Sequence, residues 1–221
     1  MKKFKQFLTG VMVFVLSVCA TFVSPINVRA EEWYGELKTT YGATTFFGEK
    51  EINFVLPTPR IYDFRNDNII SVSISKKGVE RYTQDVEFTQ DEWDAKEIPA
   101  KITIRETGKF TVGVGDKKFK VKIKKASAIK AYTPNPEYAI VNKDGKDCVA
   151  IRGLDVGSKA KIYRSVGDID HFELVKTTDE GEFIDTDVKS GKLYYYQVCF
   201  IAKDGKKTYN SKFSVIQGWS L

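Results

Sequence analysis

A run of large apolar side chains at every second position near the carboxyl end commits this chain to β-structure. The run lies within residues 191–202. The alternating positions are Tyr194, Tyr196, Val198 and Phe200. A period of two is the repeat of a β-strand, so one face of this strand is buried. Asp204-Gly205 then supplies the positive φ angles of a tight primed turn, and residues 208–215 return as the second strand of a β-hairpin.

The same pattern occurs along the rest of the chain. Over residues 69–75, isoleucine and valine alternate with serine, which predicts a strand with one buried and one hydrated face. In the second half of the chain, glycine-containing turns recur about every ten residues, the spacing of a β-sandwich. Only residues 90–96 suit a helical turn. We therefore predict an all-β chain of two antiparallel β-sandwich domains in tandem, over residues 31–125 and 126–221.

Residues 1–30 have the pattern of a cleaved signal peptide. Three lysines precede an apolar run over residues 7–23, and Val28-Arg29-Ala30 fits the rule for cleavage sites. We expect cleavage after Ala30 and a product that is secreted or loosely attached to the cell surface, with no transmembrane segment. An uncleaved membrane anchor is the alternative, since the apolar run approaches spanning length.

Cleavage would remove most of the net charge. The leader holds four of the 35 basic residues and none of the 29 acidic ones, so the formal charge of +6 belongs largely to it. The remaining chain is close to neutral. Its net charge therefore gives no reason to expect nucleic-acid binding.

Three segments of the second half carry a family resemblance. They are Lys161-Ile162-Tyr163-Arg164-Ser165, Phe183-Ile184-Asp185-Thr186-Asp187-Val188 and Gly191-Lys192-Leu193-Tyr194-Tyr195-Tyr196-Gln197-Val198. Residues 128–218 thereby resemble fibronectin type III domains of bacterial secreted proteins. The tryptophan usual in the second strand of that family is absent, and residues 148–152 stand in its place.

The first half resembles a known class only generically. Thr107-Gly108-Lys109-Phe110-Thr111-Val112 is similar to strands of bacterial immunoglobulin-like domains. The two resemblances imply an immunoglobulin-like sandwich followed by a fibronectin type III-like one. Residues 126–136 join them, and the prolines Pro134 and Pro136 predict that this linker is semi-rigid. Within that linker, residues 129–132 also suit the first strand of the second sandwich.

The cysteines and the histidine are not predicted to form a disulfide, a catalytic site or a metal site. By parity with their neighbours, Cys148 and Cys199 should point outward from opposite sheets, too far apart for a disulfide unless the register is wrong. His171 is the only histidine, and we predict that it is a hydrated loop residue, because the sequence places no nucleophile near it. We therefore expect no catalytic residues, no cofactor and no metal.

Acidic residues cluster in the turns of the second half, which leaves calcium as an alternative to that expectation. The cluster consists of Asp168, Asp170, Asp179, Glu180, Asp185 and Asp187. Loops at one end of a sandwich could bring six to eight oxygens together around the ion. Asp185 and Asp187 are explained more simply as residues that form a turn at the end of a strand.

A row of lysines is the first candidate binding surface. Lys118, Lys120, Lys122 and Lys124 alternate with apolar residues, so they share one face of a strand. Such a face could attract an anionic polymer, for example wall teichoic acid, or a phospholipid surface. The alternative is protection of a sheet edge against pairing with other sheets.

Aromatic residues without a core assignment are the second candidate surface. They are Trp33, Tyr34, Tyr41, Trp93, Tyr195, Tyr209 and Trp219. Exposed aromatic rings bind sugars and proteins. By parity Tyr195 points outward, which makes it the best single candidate for a surface contact; cross-strand packing explains it equally well.

These observations predict a secreted, non-catalytic binding or adhesion module of a bacterium. It would engage an extracellular protein or glycan, including an anionic cell-wall polymer, through strand faces and end loops. One alternative is a small exported hydrolase or transferase with a site at the domain junction, near residues 132–138 and His171. The other is an accessory subunit of a surface assembly.

Overall fold

The computed structural model describes residues 33–48, 50–60 and 68–221, and the signal peptide predicted over residues 1–30 lies outside them. The described residues form 18 β-strands, one short α-helix and one 3₁₀ helix. The strands are β1 (Trp33–Tyr34), β2 (Lys38–Thr39), β3 (Thr45–Phe47), β4 (Lys50–Leu56), β5 (Thr58–Pro59), β6 (Ile69–Lys76), β7 (Val79–Glu87), β8 (Ile98–Ile104), β9 (Gly108–Val114), β10 (Lys117–Lys124), β11 (Glu137–Lys143), β12 (Lys146–Arg152), β13 (Lys159–Val166), β14 (Glu173–Thr178), β15 (Glu182–Asp185), β16 (Leu193–Asp204), β17 (Lys207–Phe213) and β18 (Gln217–Ser220). The helices are α1 (Gln90–Asp94) and the 3₁₀ helix Ala126–Ala131.

The N-terminal sandwich consists of two main sheets. One has the strand order β3-β10-β9-β6-β7 and the other the order β2-β4-β8, while β1 and β5 form a separate pair. Neighbouring strands are antiparallel except that β3 runs parallel to β10. Ile70, Val72 and Ile74 are at most 1% exposed and face the core, as their alternation with serine predicts.

The C-terminal sandwich packs a three-stranded sheet against a five-stranded one. Its sheets have the orders β11-β12-β15 and β14-β13-β16-β17, and β18 pairs with the first half of β16. Strands β17 and β18 share one edge of β16, so the eight strands occupy seven positions in two antiparallel sheets, the arrangement of immunoglobulin and fibronectin type III sandwiches. The predicted fold class, all-β with two sandwiches in tandem, is thus confirmed. No helix in the described part of the chain is long and apolar enough to span a membrane.

Strand β16 is the central element that its alternation predicts. Tyr194, Tyr196, Val198 and Phe200 are at most 4% exposed and form the centre of the second core. In the following turn, only Gly205 has a positive φ, of 54°. Because glycine occupies the first central position, the turn is of type II′ rather than one with two positive φ angles.

The junction differs from the prediction. Residues 129–132 do not form a strand, because residues 126–131 form the 3₁₀ helix. In a 3₁₀ helix, side chains three residues apart lie on one face. Ala126 and Ile129 have that spacing and are both buried against the second core.

Residues 43–47 tie the two sandwiches together. Phe46 belongs to the first core and Phe47 to the second, and Ala43 packs against both. The backbone N–H of Phe47 donates to the carbonyl of Val156 at 3.2 Å, and its ring centre is 5.1 Å from that of Tyr132. Adjacent side chains on one strand point to opposite sides, so a single strand fills both cores.

The two cysteines, which parity directs away from the core, are nevertheless shielded from water. Both are free thiols, and Cys148 is 1% exposed and Cys199 is 5% exposed. Neither belongs to the main core, and the Cys199 thiol lies against Ser211, donating to its carbonyl at 3.6 Å. A small side chain between larger cross-strand neighbours, here Lys161 and Phe213, is shielded from water even when it points away from the core.

A buried charged network joins the two sheets of the C-terminal sandwich. Arg164 on β13 donates from Nη1 to both carboxylate oxygens of Asp185 on β15, at 3.1 and 2.9 Å. The hydroxyl of Tyr196 on β16 donates to Asp185 Oδ2 at 2.9 Å. Asp185 is 3% exposed and Tyr196 is fully buried. The network thus consists of residues from the three segments that carry the family resemblance.

Loss of the charge on Asp185 should destabilise the fold strongly. Asp185→Asn removes the buried carboxylate partner of Arg164, whose side chain is 15% exposed and keeps only the exposed Asp187 carboxylate at 3.2 Å. We therefore expect the free energy of unfolding to fall by about 2–3 kcal/mol. Glu182→Gln is the matched control, because it breaks the Arg152–Glu182 pair, whose side chains are 41% and 31% exposed. Its cost should be about 1 kcal/mol or less. Urea unfolding measures both, and equal costs would contradict a buried network.

Stability should also decline in alkali. Burial, together with the neighbouring Asp185 carboxylate, raises the pKa of Tyr196, and burial raises the pKa of Tyr138 to about 12. Above pH 10 or so, the unfolded chain releases phenolic protons that the folded chain retains. Each group should therefore lower the free energy of unfolding by about 1.4 kcal/mol per pH unit from about pH 10 upward, up to about 12 for Tyr138. Urea unfolding across this range tests the slope, which should flatten in Tyr138→Phe.

Candidate cationic face

The predicted lysine row lies on the outer face of the five-stranded sheet. Lys118, Lys120 and Lys122 are exposed, while Phe119, Val121 and Ile123 turn toward the core. Lys124 is half-buried, with its Nζ 5.4 Å from the centre of the Phe47 ring. Three of the four lysines are therefore available to a ligand, and the fourth borders the junction.

Other strands add lysines to this row. Lys109 on β9 is the cross-strand neighbour of Lys122, and Lys77 lies in the turn between β6 and β7. Together with Lys120 they border an open groove with a volume of ≈ 570 Å³. Thr44, Thr45 and Thr111 contribute polar side chains to it. We call this feature, with Lys77, Lys109, Lys120 and Lys122 as its charged residues, the cationic groove.

The positive charge of the cationic groove is not neutralised locally. No residue among those described that line it is acidic, and none of its four lysines forms an ion pair within the described part of the chain. Strands β3, β6, β9 and β10 contain no carboxylate. The carboxylates on the strands of this sheet lie on β7, which directly follows the turn that holds Lys77 but is about 14 Å, three strand spacings, from Lys120 and Lys122 on β10. That exceeds the Debye length of about 8 Å at physiological salt.

Protection of a sheet edge explains only part of this arrangement. β3 pairs with β10 only at residues 122–124, so Lys118 and Lys120 lie on a stretch with β9 as its one partner strand in the described residues. Lys122, by contrast, lies where β10 is flanked by both β3 and β9. A strand position with a partner on each side has no edge to protect. Lys122 therefore favours a binding role.

Tyr195, the other predicted contact, is half-buried on the outer face of the five-stranded sheet of the second sandwich. Its ring covers Gly218, where an added Cβ would come within 3.0 Å of Tyr195 Cε1. An aromatic ring over a cross-strand glycine is a common way to shield the backbone. On the same face Phe213 is 49% exposed, which makes it more accessible than Tyr195.

Most of the other unassigned aromatic residues have packing roles. Trp33 and Trp93 pack against the first core, and Tyr209 and Trp219 against the second. Tyr41 lies against Gly181, across the junction between the sandwiches. Tyr34 remains the exposed member of the group, at 46%.

The residues considered above as candidates for catalysis or metal binding do not come together at one site. His171 is exposed, and its Nδ1 lies 3.1 Å from Asp168 Oδ1 within its own loop. Hydrogen bonds from the Asp170 backbone and from His171 lower the pKa of Asp168 to about 2. The junction holds a polar groove of ≈ 510 Å³ that includes Glu51, Lys101 and Glu180, but not His171. Among residues 33–48, 50–60 and 68–221, no group of three or more acidic, histidine or cysteine side chains could hold a metal ion.

The sequence pattern missed Lys77 and Lys109. Each is an isolated lysine in its own segment, and only the pairing of β6, β9 and β10 brings them beside Lys120 and Lys122. The available signal was Lys77-Gly78, a turn dipeptide between two alternating strands. It predicts a hairpin but not the strand that lies next to it.

Comparisons with known proteins add only distant likenesses. No family model and no curated protein matches the sequence. Among solved structures, the chain is similar to a cytokine receptor complex at 7% identity (79% of this chain, 92% of that one, TM-score 0.34). It is also similar to the human OSCAR ligand-binding domain at 7% identity (84% and 99%, TM-score 0.32) and to domains A168–A170 of titin at 11% identity (85% and 66%, TM-score 0.29). Nothing about function is transferred from them.

The like charges of the lysine row should cost stability. Lysines two positions apart are about 7 Å apart along a strand, and each pair repels by roughly 0.6 kcal/mol in water. Lys120 has such a neighbour on each side, so Lys120→Gln should raise the free energy of unfolding by about 1 kcal/mol at low salt and by almost nothing near 1 M salt. Urea unfolding at both salt concentrations measures this. An equal gain in Lys176→Gln, an exposed lysine of the other sandwich, would contradict the assignment.

Proposed function

We propose that this chain is a non-catalytic, extracellular binding module that engages an anionic polymer of the bacterial cell surface through the cationic groove. The observation that carries the proposal is the convergence on one groove of four lysines from three separate parts of the chain, with no ion pair to any of them among the described residues. Repulsion between them weakens the fold, so the arrangement is best explained by a ligand that supplies the missing negative charge.

The shape of the surface supports an extended ligand. The cationic groove is open and lies on the face of a sheet, and Lys118 and Lys124 continue the row beyond it in both directions along β10. A polymer with repeating negative charges can bind several of these lysines at once. Neutralising many charges releases counterions, which gives affinity without a deep pocket.

The chemistry of the groove suits binding better than catalysis. Its polar side chains are those of lysine and threonine, and the residues described around it provide neither a carboxylate nor a histidine to act as an acid or base beside them. Lysine ammonium groups on flexible stems bind phosphate or carboxylate oxygens as point charges. Such lysines favour a ligand that is recognised by its negative charges and by the spacing between them.

Neutralising the groove should abolish most of this binding. We expect Lys109→Gln/Lys120→Gln/Lys122→Gln to weaken binding of the purified protein to lipoteichoic acid at least tenfold, because three positive charges facing the polymer are removed. The slope of log affinity against log salt should become shallower by roughly one unit for each lysine replaced. Calorimetric titration at several salt concentrations measures both quantities.

The matched control removes the same charge elsewhere. Lys176→Gln/Lys192→Gln/Lys207→Gln changes three exposed lysines of the second sandwich and should leave binding within about twofold of the parent. Poly-glutamate and a neutral dextran serve as comparison polymers, to separate general charge attraction from recognition of phosphate. Equal losses in the two triple variants, or binding that does not depend on salt, would overturn the proposal.

A further inference from the structure

A second groove lies elsewhere on the N-terminal sandwich and has a different chemistry. Its volume is ≈ 250 Å³, and its walls include the aromatic rings of Tyr34 and Trp93 and the ring of Pro59. Thr58, Asp94 and Lys96 add polar groups. We call this feature the aromatic groove. It shares no lining residue with the cationic groove.

Local structure holds the aromatic walls in place. The helix α1 begins with a capping box, in which Thr89 Oγ1 accepts from the Glu92 N–H at 3.3 Å and Glu92 Oε2 accepts from the Thr89 N–H at 2.7 Å. Trp93 on this helix donates from Nε1 to the carbonyl of Pro59 at 3.3 Å. Trp93 is therefore held in place both by the capped helix that carries it and by the hydrogen bond of its indole ring.

The opposite wall is more open. Tyr34 on β1 pairs with Thr58 on β5 and is 46% exposed. Lys96, which follows α1 with a φ of 56°, holds its Nζ 6.0 Å from the centre of the Tyr34 ring. The backbone conformation of Lys96 is uncommon for a residue other than glycine, and it directs a cation to this wall.

One polar group of the aromatic groove lacks a partner. The hydroxyl of Thr58 is buried and has no hydrogen-bond partner among the described residues. A buried hydroxyl without a partner costs free energy, so a small molecule that supplies one is favoured. Its cross-strand neighbour Tyr34 is 46% exposed, so a ligand that contacts the Tyr34 ring lies beside this hydroxyl.

We propose that the aromatic groove binds a pyranose ring of a glycan. The apolar face of a pyranose packs on aromatic rings, and its hydroxyls require nearby donors and acceptors such as Thr58, Asp94 and Lys96. Small-molecule pockets usually measure about 300–1,000 Å³, so a groove slightly below this range holds a single ring. The proposal is independent of polymer binding at the cationic groove.

The indole N–H of Trp93 provides a direct probe. The chain has three tryptophans, so a protein labelled with ¹⁵N shows a small set of indole signals, and Trp93→Phe identifies the one from Trp93. The labelled protein is titrated with methyl β-glucopyranoside, N-acetylglucosamine and glucuronate. At least one sugar should shift the Trp93 signal in a saturable way with a millimolar midpoint, while the signal of Trp219 in the other sandwich stays in place.

Variants separate this site from general effects. Tyr34→Ala should weaken sugar binding at least fivefold, and Thr58→Val, which replaces the hydroxyl by a methyl group, at least threefold. Tyr195→Ala is the matched control and should change nothing, as should the triple substitution of Lys109, Lys120 and Lys122. The absence of a saturable Trp93 shift with all three sugars, or an unchanged shift in Tyr34→Ala, would overturn the proposal without affecting the one for the cationic groove.

Discussion

The period-two alternation of side chains on a pleated strand governs both the cores and the charged surface of this protein. The same constraint that buries Phe119, Val121 and Ile123 in the first core sends the intervening lysines to the opposite face of β10. Burying each apolar side chain contributes roughly 1.5–3 kcal/mol, whereas each lysine pair costs only a fraction of that. The core therefore sets the register, and the charged face follows from it.

The two cores are held in different ways. The first has no buried ion pair among its described residues and consists of isoleucine, valine, leucine and phenylalanine side chains. The second adds the network of Arg164, Asp185 and Tyr196, which joins its sheets through directional bonds. Phe46 and Phe47 then anchor one strand in both cores. A surface on the first sandwich is thus attached to a stiff neighbour rather than to a free tether, which suits a module that presents its face to a large ligand.

Much of the fold could be predicted because its signals are local. The strand 69–76, the buried face of 193–202 and the helical turn near 90–94 all follow from spacing within a few residues. The errors have non-local causes. Residues 129–132 have the apolar spacing of either a strand or a 3₁₀ turn, and packing against the second core selects the turn. Parity directs Cys148 and Cys199 away from the core but says nothing about the neighbouring strands that shield them from water.

The order of amino acids alone specifies which side chains share a strand face, and so it specifies the lysine row of β10 and the identity of the core residues. The residues that lie beside this row are determined by the tertiary structure, because neighbouring strands in a sheet are often far apart in the sequence. Lys77 and Lys109 joined the cationic groove, and Tyr34 met Trp93, through such pairings. A local repeat sets the orientation of a side chain, whereas the meeting of distant side chains follows from which strands pair and where the turns end.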